Sequence, residues 1–135
     1  MPSQLNAILQ TAIDNKASDV HIIVGHAPLI RMHTQMTPTD FPVITPEGAL
    51  AMLKEMLSEA RMEAFLEKRD SDFSHELPGG TRFRVNAHFQ RGSAAMAFRV
   101  ITDKVRPLDQ LGLPDVITRL TYLPRGLVLV TGDTG

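Results

Sequence analysis

The middle of the chain contains two segments in which apolar and polar residues alternate, separated by Arg91 and Gly92. Alternation with a period of two predicts β-strands that each bury one face. The two predicted strands cover residues 82–90 and 95–101. A reversal at Arg91 and Gly92 places Phe83 opposite Val100 and gathers the apolar side chains of both strands on one face. A shift of one residue would expose all of them, so we expect a half-buried hairpin with this register.

The same register makes Arg84 and Arg99 direct neighbours on the more polar face of the hairpin. Like charges in directly opposed positions destabilise a sheet unless an anion lies between them. The sequence leaves two interpretations open. Either both guanidiniums are solvated or paired with acids such as Asp70 or Asp72, or they bind an anion such as a phosphate. Arg84 and Arg99 are therefore candidate site residues.

Hydropathy patterns predict further elements on both sides of the hairpin. Apolar residues at helical spacing predict helices over residues 4–16 behind Ser3, over two segments between residues 45 and 69, and over residues 115–122. Short β-branched or alternating runs predict strands over residues 20–24, 29–32 and 71–77. Residues 33–42 show no clear period, and we expect them to be irregular. This mixture of helices and strands indicates the α/β class.

Charge and composition exclude several classes of function. Fourteen basic against fifteen acidic residues give a net charge of −1, which argues against a nucleic-acid or anionic-membrane binder. The absence of cysteine and the lack of close histidine pairs argue against a metal site built from protein ligands. The first sixteen residues lack a continuous apolar run, so we expect neither a signal peptide nor a membrane span. A cytoplasmic location is the default expectation.

Asp19 and His21 share one face of the first predicted strand. An acid beside a histidine is one arrangement used for proton transfer. The alternative is a strand histidine that hydrogen-bonds a neighbouring carboxylate and has no catalytic role. No nucleophile is placed beside the pair by any pattern in the sequence, which favours the second interpretation.

The last nine residues read LVLVTGDTG, a continuous apolar run followed by two glycines. Such a run over residues 127–131 predicts a strand buried on both faces of a parallel sheet. A strand that leads into Gly132, Asp133, Thr134 and Gly135 is how a phosphate-binding loop begins, so these four are candidate nucleotide-binding residues. An ordinary strand-to-turn glycine pair is the alternative.

Five segments, in order along the chain, resemble one known family. They are ASDVH at residues 17–21, DFSHELPG at 72–79, RFRVNAHFQRG at 82–92, AFRVI at 97–101 and PRGLVLVTG at 124–132. The family is that of the PilT-like ATPases, which drive retraction of type IV pili and twitching motility and are related to the type II/IV secretion ATPases.

The resemblance implies a PAS-like N-terminal domain over residues 1–102, with an antiparallel sheet flanked by helices. It implies an interdomain linker over residues 103–114, a segment whose prolines and glycine also break any continuous element. Residues 115–135 would then begin a RecA-like ATPase core, with the first strand of that core and the start of its Walker A loop. Residues 1–135 alone are not expected to hydrolyse ATP.

The resemblance also implies a function for the full-length protein. Such a motor is a homo-hexamer that hydrolyses ATP with Mg²⁺, and the metal site would lie outside residues 1–135. Arginines that match Arg84 and Arg99 reach the nucleotide phosphates in this family, so a catalytic role is implied for both. The implied partners are inner-membrane platform proteins of the pilus and not nucleic acid. The implied location is cytoplasmic, peripheral to the pilus machinery and without insertion into the membrane.

The chain departs from the family pattern at two places. Relatives commonly read GPTG where this chain has Asp133 after Gly132, and we expect the acid to point away from the phosphates. Relatives commonly show R-x-D-G where this chain has Arg31 followed by Met32, His33 and Thr34, so no role is transferred to Arg31. The motifs do not separate retraction from extension motors. A non-catalytic PAS-like module that binds a ligand or a protein is the alternative function.

Overall fold

The structure is a computed structural model that describes residues 3–102 and 105–132. The chain divides into two compact units, Met1–Asp103 and Lys104–Gly135. The elements of the first unit are α1 (Gln4–Asp14), β1 (Asp19–Ile22), β2 (Leu29–Met32), β3 (Gln35–Pro38), α2 (Pro46–Met56), α3 (Glu59–Lys68), β4 (Asp70–Glu76), β5 (Arg82–Gln90) and β6 (Ser93–Ile101). The second unit contains a short 3-10 helix (Leu108–Leu111) and α4 (Asp115–Leu120).

The first unit is built on a six-stranded sheet in the order β3-β2-β1-β6-β5-β4. All neighbouring strands are antiparallel. The buried residues of α1, α2 and α3 form one core with one face of the sheet, which includes Val20, Phe83 and Phe98. The other face of the sheet carries mainly polar side chains. The predicted α/β class, with an antiparallel sheet and flanking helices, is confirmed.

The first two helices begin where their capping residues predict. The Ser3 hydroxyl accepts a hydrogen bond from the Asn6 amide at 3.2 Å. The Thr45 hydroxyl accepts one from the Gly48 amide at 3.0 Å, and Pro46 occupies the first turn of α2. These bonds satisfy amide groups that have no partner inside the helix. They fix where α1 and α2 start and so orient both helices over the sheet.

The β5–β6 hairpin has the register that the alternation predicts. Phe83 lies opposite Val100, and Arg84 lies opposite Arg99. The turn residues Arg91 and Gly92 have φ angles of 50° and 80°. Two successive left-handed residues match the right-handed twist of a two-residue hairpin, and glycine adopts this conformation without steric cost.

The prediction of an irregular segment over residues 33–42 is wrong in part, because β3 forms within it. His33 and Thr34 have φ angles of 47° and 71° and form the turn between β2 and β3. The hydropathy pattern missed this strand because β3 is an edge strand with three of its four residues exposed. An edge strand has little apolar surface to bury, so it leaves a weak period in the sequence.

In the second unit, the helix predicted over residues 115–122 is confirmed as α4, and the predicted linker contains the short 3-10 helix. The strand predicted over residues 127–131 is not formed. Leu127 is 82% exposed and Val130 is 93% exposed. A strand needs a neighbouring strand for its backbone hydrogen bonds, and residues 105–132 contain no other strand.

Candidate functional site

One row of directly opposed residues crosses all six strands on the polar face of the sheet. In strand order the row is Met36, Arg31, Asp19, Arg99, Arg84 and Ser74. Side chains in opposed positions on one face have Cβ atoms about 5 Å apart. The fold therefore brings three guanidinium groups and one carboxylate side by side, from four different strands. We call Arg31, Asp19, Arg99 and Arg84 the charged row.

Asp19 lies at the centre of the charged row and binds an arginine on each side. The Nε of Arg99 donates to Oδ1 of Asp19 at 3.2 Å, and the Nε of Arg31 lies 3.4 Å from Oδ2. The Ser18 hydroxyl also donates to Oδ2, at 2.8 Å. The side chain of Asp19 is 15% exposed, whereas that of Arg99 is 76% exposed. The carboxylate is thus nearly covered while the guanidinium that it binds remains open to solvent.

The surroundings of Asp19 act on its pKa in both directions. Burial raises the pKa, whereas the hydrogen bond from Ser18 and the bond and charge of Arg99 lower it, with a smaller contribution from Arg31. The favourable interactions win, and the pKa of Asp19 is lowered from its usual value of 3.8. Asp19 is therefore ionised throughout the neutral range and offsets part of the positive charge of the row.

Arg84 differs from the other two arginines. Its side chain is exposed and makes no ion pair with the residues that the structure describes. This arrangement matches the first interpretation left open by the sequence, in which each guanidinium is solvated or paired with an acid, although the acid that binds Arg99 is Asp19 and not Asp70 or Asp72. Both of those carboxylates accept hydrogen bonds from the Asn86 amide, at 3.0 Å and 3.4 Å.

The partner of Arg99 and the position of Arg31 could not be read from the sequence. Asp19 is 80 residues away from Arg99 along the chain, and they meet because β1 pairs with β6. Arg31 was assigned no role, yet the β1–β2 pairing places it directly opposite Asp19. The sequence did contain one usable signal for Arg31. The first two predicted strands are close in sequence, which favours an antiparallel hairpin, and the geometry of the turn in that hairpin determines that Asp19 lies opposite Arg31.

A depression of about 460 Å³ opens on this face of the sheet. Its lining residues are Asp19, His21, Arg31, Asp72, Arg84, Asn86, Ala97, Phe98 and Arg99. Ala97 lies between His21 and Asn86 in the sheet, so a small side chain leaves room beside the charged row. With three arginines against two aspartates, the lining carries a net positive charge. Guanidinium groups match phosphate and carboxylate oxygens in geometry, so the site is suited to an anion.

Asp19 and His21 form neither an acid–histidine pair for proton transfer nor the structural hydrogen bond that the sequence favoured. Both line the depression, but no hydrogen bond joins them, because Asp19 binds Ser18 and Arg99 instead. Burial lowers the pKa of His21 from its usual 6.5, and the charges of Arg31 and His88 lower it further, against an opposing effect of Asp19. His21 is therefore neutral at physiological pH.

The predicted nucleotide-binding loop is only partly described. Gly132 has no heavy atom within 4 Å of the position a Cβ would take, whereas Asp133, Thr134 and Gly135 lie outside the described residues. Among residues 3–102 and 105–132, no group of three or more histidine, aspartate or glutamate side chains could hold a metal ion. Within the same ranges, no helix has the length and apolar character needed to cross a bilayer.

No family model matches the chain. Among curated proteins, it is 36% identical over 131 residues to the type IV pilus retraction ATPase PilT of Pseudomonas aeruginosa. That alignment covers 97% of this chain and 38% of the relative. A crystal structure of the pilus retraction motor PilT with bound ADP superposes with a TM-score of 0.85 and 36% identity, over 99% of this chain and 39% of that one. The chain is a homologue of the N-terminal region of PilT.

Other relatives agree with this result. A twitching motility protein of Neisseria gonorrhoeae is 33% identical to the chain over 129 residues, which are 96% of this chain and 34% of the relative. The ATPase DotB of Legionella pneumophila shares 19% identity with a TM-score of 0.76, over 90% of this chain and 35% of that one. The DotB likeness shows the fold alone. The resemblance to PilT-like ATPases is thereby confirmed, and the chain spans little more than a third of the length of these relatives.

Proposed function

We propose that this chain is the N-terminal part of an ATP-hydrolysing motor that powers type IV pilus retraction, and that Arg84 and Arg99 contact the ATP phosphates. The observation that carries the proposal is the direct opposition of these two exposed arginines in the β5–β6 ladder. Two adjacent like charges destabilise a sheet, and an anion that binds both would relieve the repulsion. The relationship to PilT supports ATP as the source of that anion.

The charged row fits the needs of phosphoryl transfer. In ATP hydrolysis, water attacks the γ-phosphorus as the bond to ADP breaks, and negative charge is spread over the phosphoryl oxygens in the transition state. ATP, when bound, supplies that phosphoryl group. Arg84 and Arg99 offer N–H donors in a planar fork that can bind two phosphate oxygens at once. Donors fixed before the reaction stabilise this charge with little reorganisation.

The relationship to PilT extends the proposal to the full-length protein. Residues 1–102 would form a PAS-like domain, residues 103–114 a linker, and residues 115–135 the start of a RecA-like core. In the full-length protein, Gly132, Asp133, Thr134 and Gly135 would begin the loop that binds the nucleotide. The loop and Mg²⁺ would hold the β- and γ-phosphates. We propose that the magnesium ligands lie outside residues 1–135.

We further propose that six copies form the working motor and that it acts on inner-membrane platform proteins of the pilus from the cytoplasmic side. The test is a deletion strain complemented with the full-length gene. Loss of a retraction motor should leave surface pili in place while twitching stops, and complementation should restore movement. Loss of the pili themselves would indicate an extension motor. Unchanged piliation and twitching would refute a role in the pilus.

A further inference from the structure

In the charged row, Asp19 contacts both neighbouring arginines through their Nε atoms. Nε of Arg99 lies 3.2 Å from Oδ1, and Nε of Arg31 lies 3.4 Å from Oδ2. The terminal nitrogens of Arg99 make no hydrogen bond to any described residue. One terminal nitrogen of Arg31 donates to the Thr34 carbonyl at 3.3 Å. A guanidinium bound at Nε keeps its terminal N–H groups available for a second, anionic partner.

We propose that Asp19 is a positioning residue that holds Arg99 and Arg31 by their Nε atoms and leaves their terminal N–H groups free for phosphate, which makes Arg31 a third arginine of the site. The inference rests on the proposed ATPase function, because it assigns roles within that same site. Arg31 thereby receives a role that its motif did not indicate.

The environment of Asp19 suits a fixed anchor. Its side chain is nearly covered, β1 lies inside the sheet between β2 and β6, and Ser18 binds the same carboxylate. Side chains on such a rigid element are held more precisely than side chains on loops. The carboxylate also stays ionised well into the acidic range, since its pKa is lowered.

Fixing Arg99 in advance matters because its side chain is 76% exposed. Immobilising a free arginine side chain costs rotamer entropy. If Asp19 has already restricted the guanidinium, less of that cost falls on phosphate binding. Asp19 also lowers the repulsion among the three arginines of the charged row, and the row still keeps a net positive charge that attracts an anion. One carboxylate can thus stabilise the cluster of arginines without neutralising it.

The contact itself can be tested in the 135-residue chain by NMR of the arginine Nε–Hε groups. On acidification, the Nε–Hε shifts of Arg31 and Arg99 should titrate together with a midpoint below pH 3.8, the usual value for the Asp19 carboxyl. The Nε–Hε shift of Arg84 should not follow them. Asp19→Asn should abolish this common titration, and Asp14→Asn on α1 should preserve it. If the Nε–Hε shifts of Arg31 and Arg99 titrate with different midpoints, or do not titrate, the anchoring role is refuted. This result is obtained with the wild-type chain and does not require any variant to fold.

The role in catalysis can be tested with the full-length ATPase. Asp19→Asn should lower kcat by up to about 100-fold, the loss that a misplacement of about 1 Å can cause. The effect should nearly vanish in an Arg99→Ala background, because the residue that Asp19 positions is then absent. Arg31→Ala should raise KM for ATP, whereas Asp14→Asn should change neither constant.

The outcomes separate this inference from the function on which it rests. If Arg99→Ala slows hydrolysis but Asp19→Asn leaves kcat unchanged, the positioning role is wrong and the proposed function stands. The positioning role is also wrong if the Asp19→Asn/Arg99→Ala double variant loses kcat by the product of the two single losses, because the two residues would then act independently. If Arg84→Ala and Arg99→Ala both retain the wild-type rate, the proposed function itself fails. A rise in ATP affinity in Asp19→Asn would show that Asp19 competes with phosphate and would overturn the inference.

Discussion

Asp19 and Arg99 are 80 residues apart in sequence, yet Nε of Arg99 donates to Oδ1 of Asp19 at 3.2 Å. The bond exists because β1, the first strand in sequence, pairs with β6, the last strand in sequence of the first unit. It places a carboxylate between Arg31 and Arg99, where it offsets part of the positive charge of the row. The polar face of the sheet is thereby organised around charge, whereas the opposite face is organised around apolar packing.

The core prediction concerns Phe98, which is 1% exposed and packs edge-to-face against Phe83 with ring centroids 6.3 Å apart. Phe98→Ala should lower the free energy of unfolding by about 3–5 kcal/mol, because it removes a large buried side chain and leaves a cavity. Urea unfolding measures this value. Leu66→Ala is the control, since Leu66 is 51% exposed, and it should cost much less. Equal losses for both variants would contradict the described core.

The hairpin prediction concerns Gly92, whose φ angle is 80°. An added Cβ would contact no atom within 4 Å, so any cost of Gly92→Ala comes from the backbone conformation alone. We expect a loss of about 1–2 kcal/mol in the free energy of unfolding. Gly79→Ala also adds a Cβ in open space, but without a positive φ, and should be close to neutral. A neutral Gly92→Ala would argue against this turn.

The pH prediction concerns His21 and His75. Burial is the largest cause that lowers the pKa of each from the usual 6.5. The folded state therefore resists protonation of both side chains. Each histidine therefore contributes to the free energy of unfolding in full above pH 6.5, the pKa of a histidine in the unfolded chain. This contribution is lost as the pH falls from 6.5 through the lower pKa that the histidine has in the folded state.

Chemical denaturation between pH 8 and pH 5 tests this linkage. The wild-type chain should lose stability as the pH falls below 6.5, and His21→Asn or His75→Asn should flatten that decline. His26→Asn replaces an exposed histidine and is the control. If His21→Asn and His75→Asn both show the wild-type decline, the described surroundings of these half-buried histidines are wrong.

Local sequence patterns predicted the elements that bury an apolar face. The alternation over residues 82–101 gave both strands and their register, and the capping residues Ser3 and Thr45 gave two helix starts. The opposition of Arg84 and Arg99 followed from that register and is confirmed. Their contact with phosphates remains a prediction.

Features that depend on distant partners were missed. β3 is a mostly exposed edge strand, so it leaves no strong hydropathy period. The contact of Asp19 with Arg99 depends on which strand lies beside β6, and antiparallel pairing across 80 residues has no local signal. The apolar run over residues 127–131 has the composition of a buried strand, yet no neighbouring strand is present among residues 105–132 to pair with it.

The central claim is that Arg84 and Arg99 act on the phosphates of ATP and not on the fold. The most direct measurement is the ATP turnover of full-length Arg84→Ala and Arg99→Ala, compared with Arg82→Ala and with melting temperatures. Exposed ion pairs contribute about 0–1 kcal/mol to the free energy of unfolding, so both variants should have melting temperatures close to that of the wild type. Arg99→Ala should show a small decrease, because it removes the bond to Asp19. ATP turnover should fall at least tenfold in each variant. In some nucleotide hydrolases, an arginine that stabilises the charge of the transition state raises kcat by about a thousandfold or more. The Arg82→Ala variant should retain most of the wild-type ATP turnover. Wild-type turnover in both variants, or unfolding of both, would contradict the account.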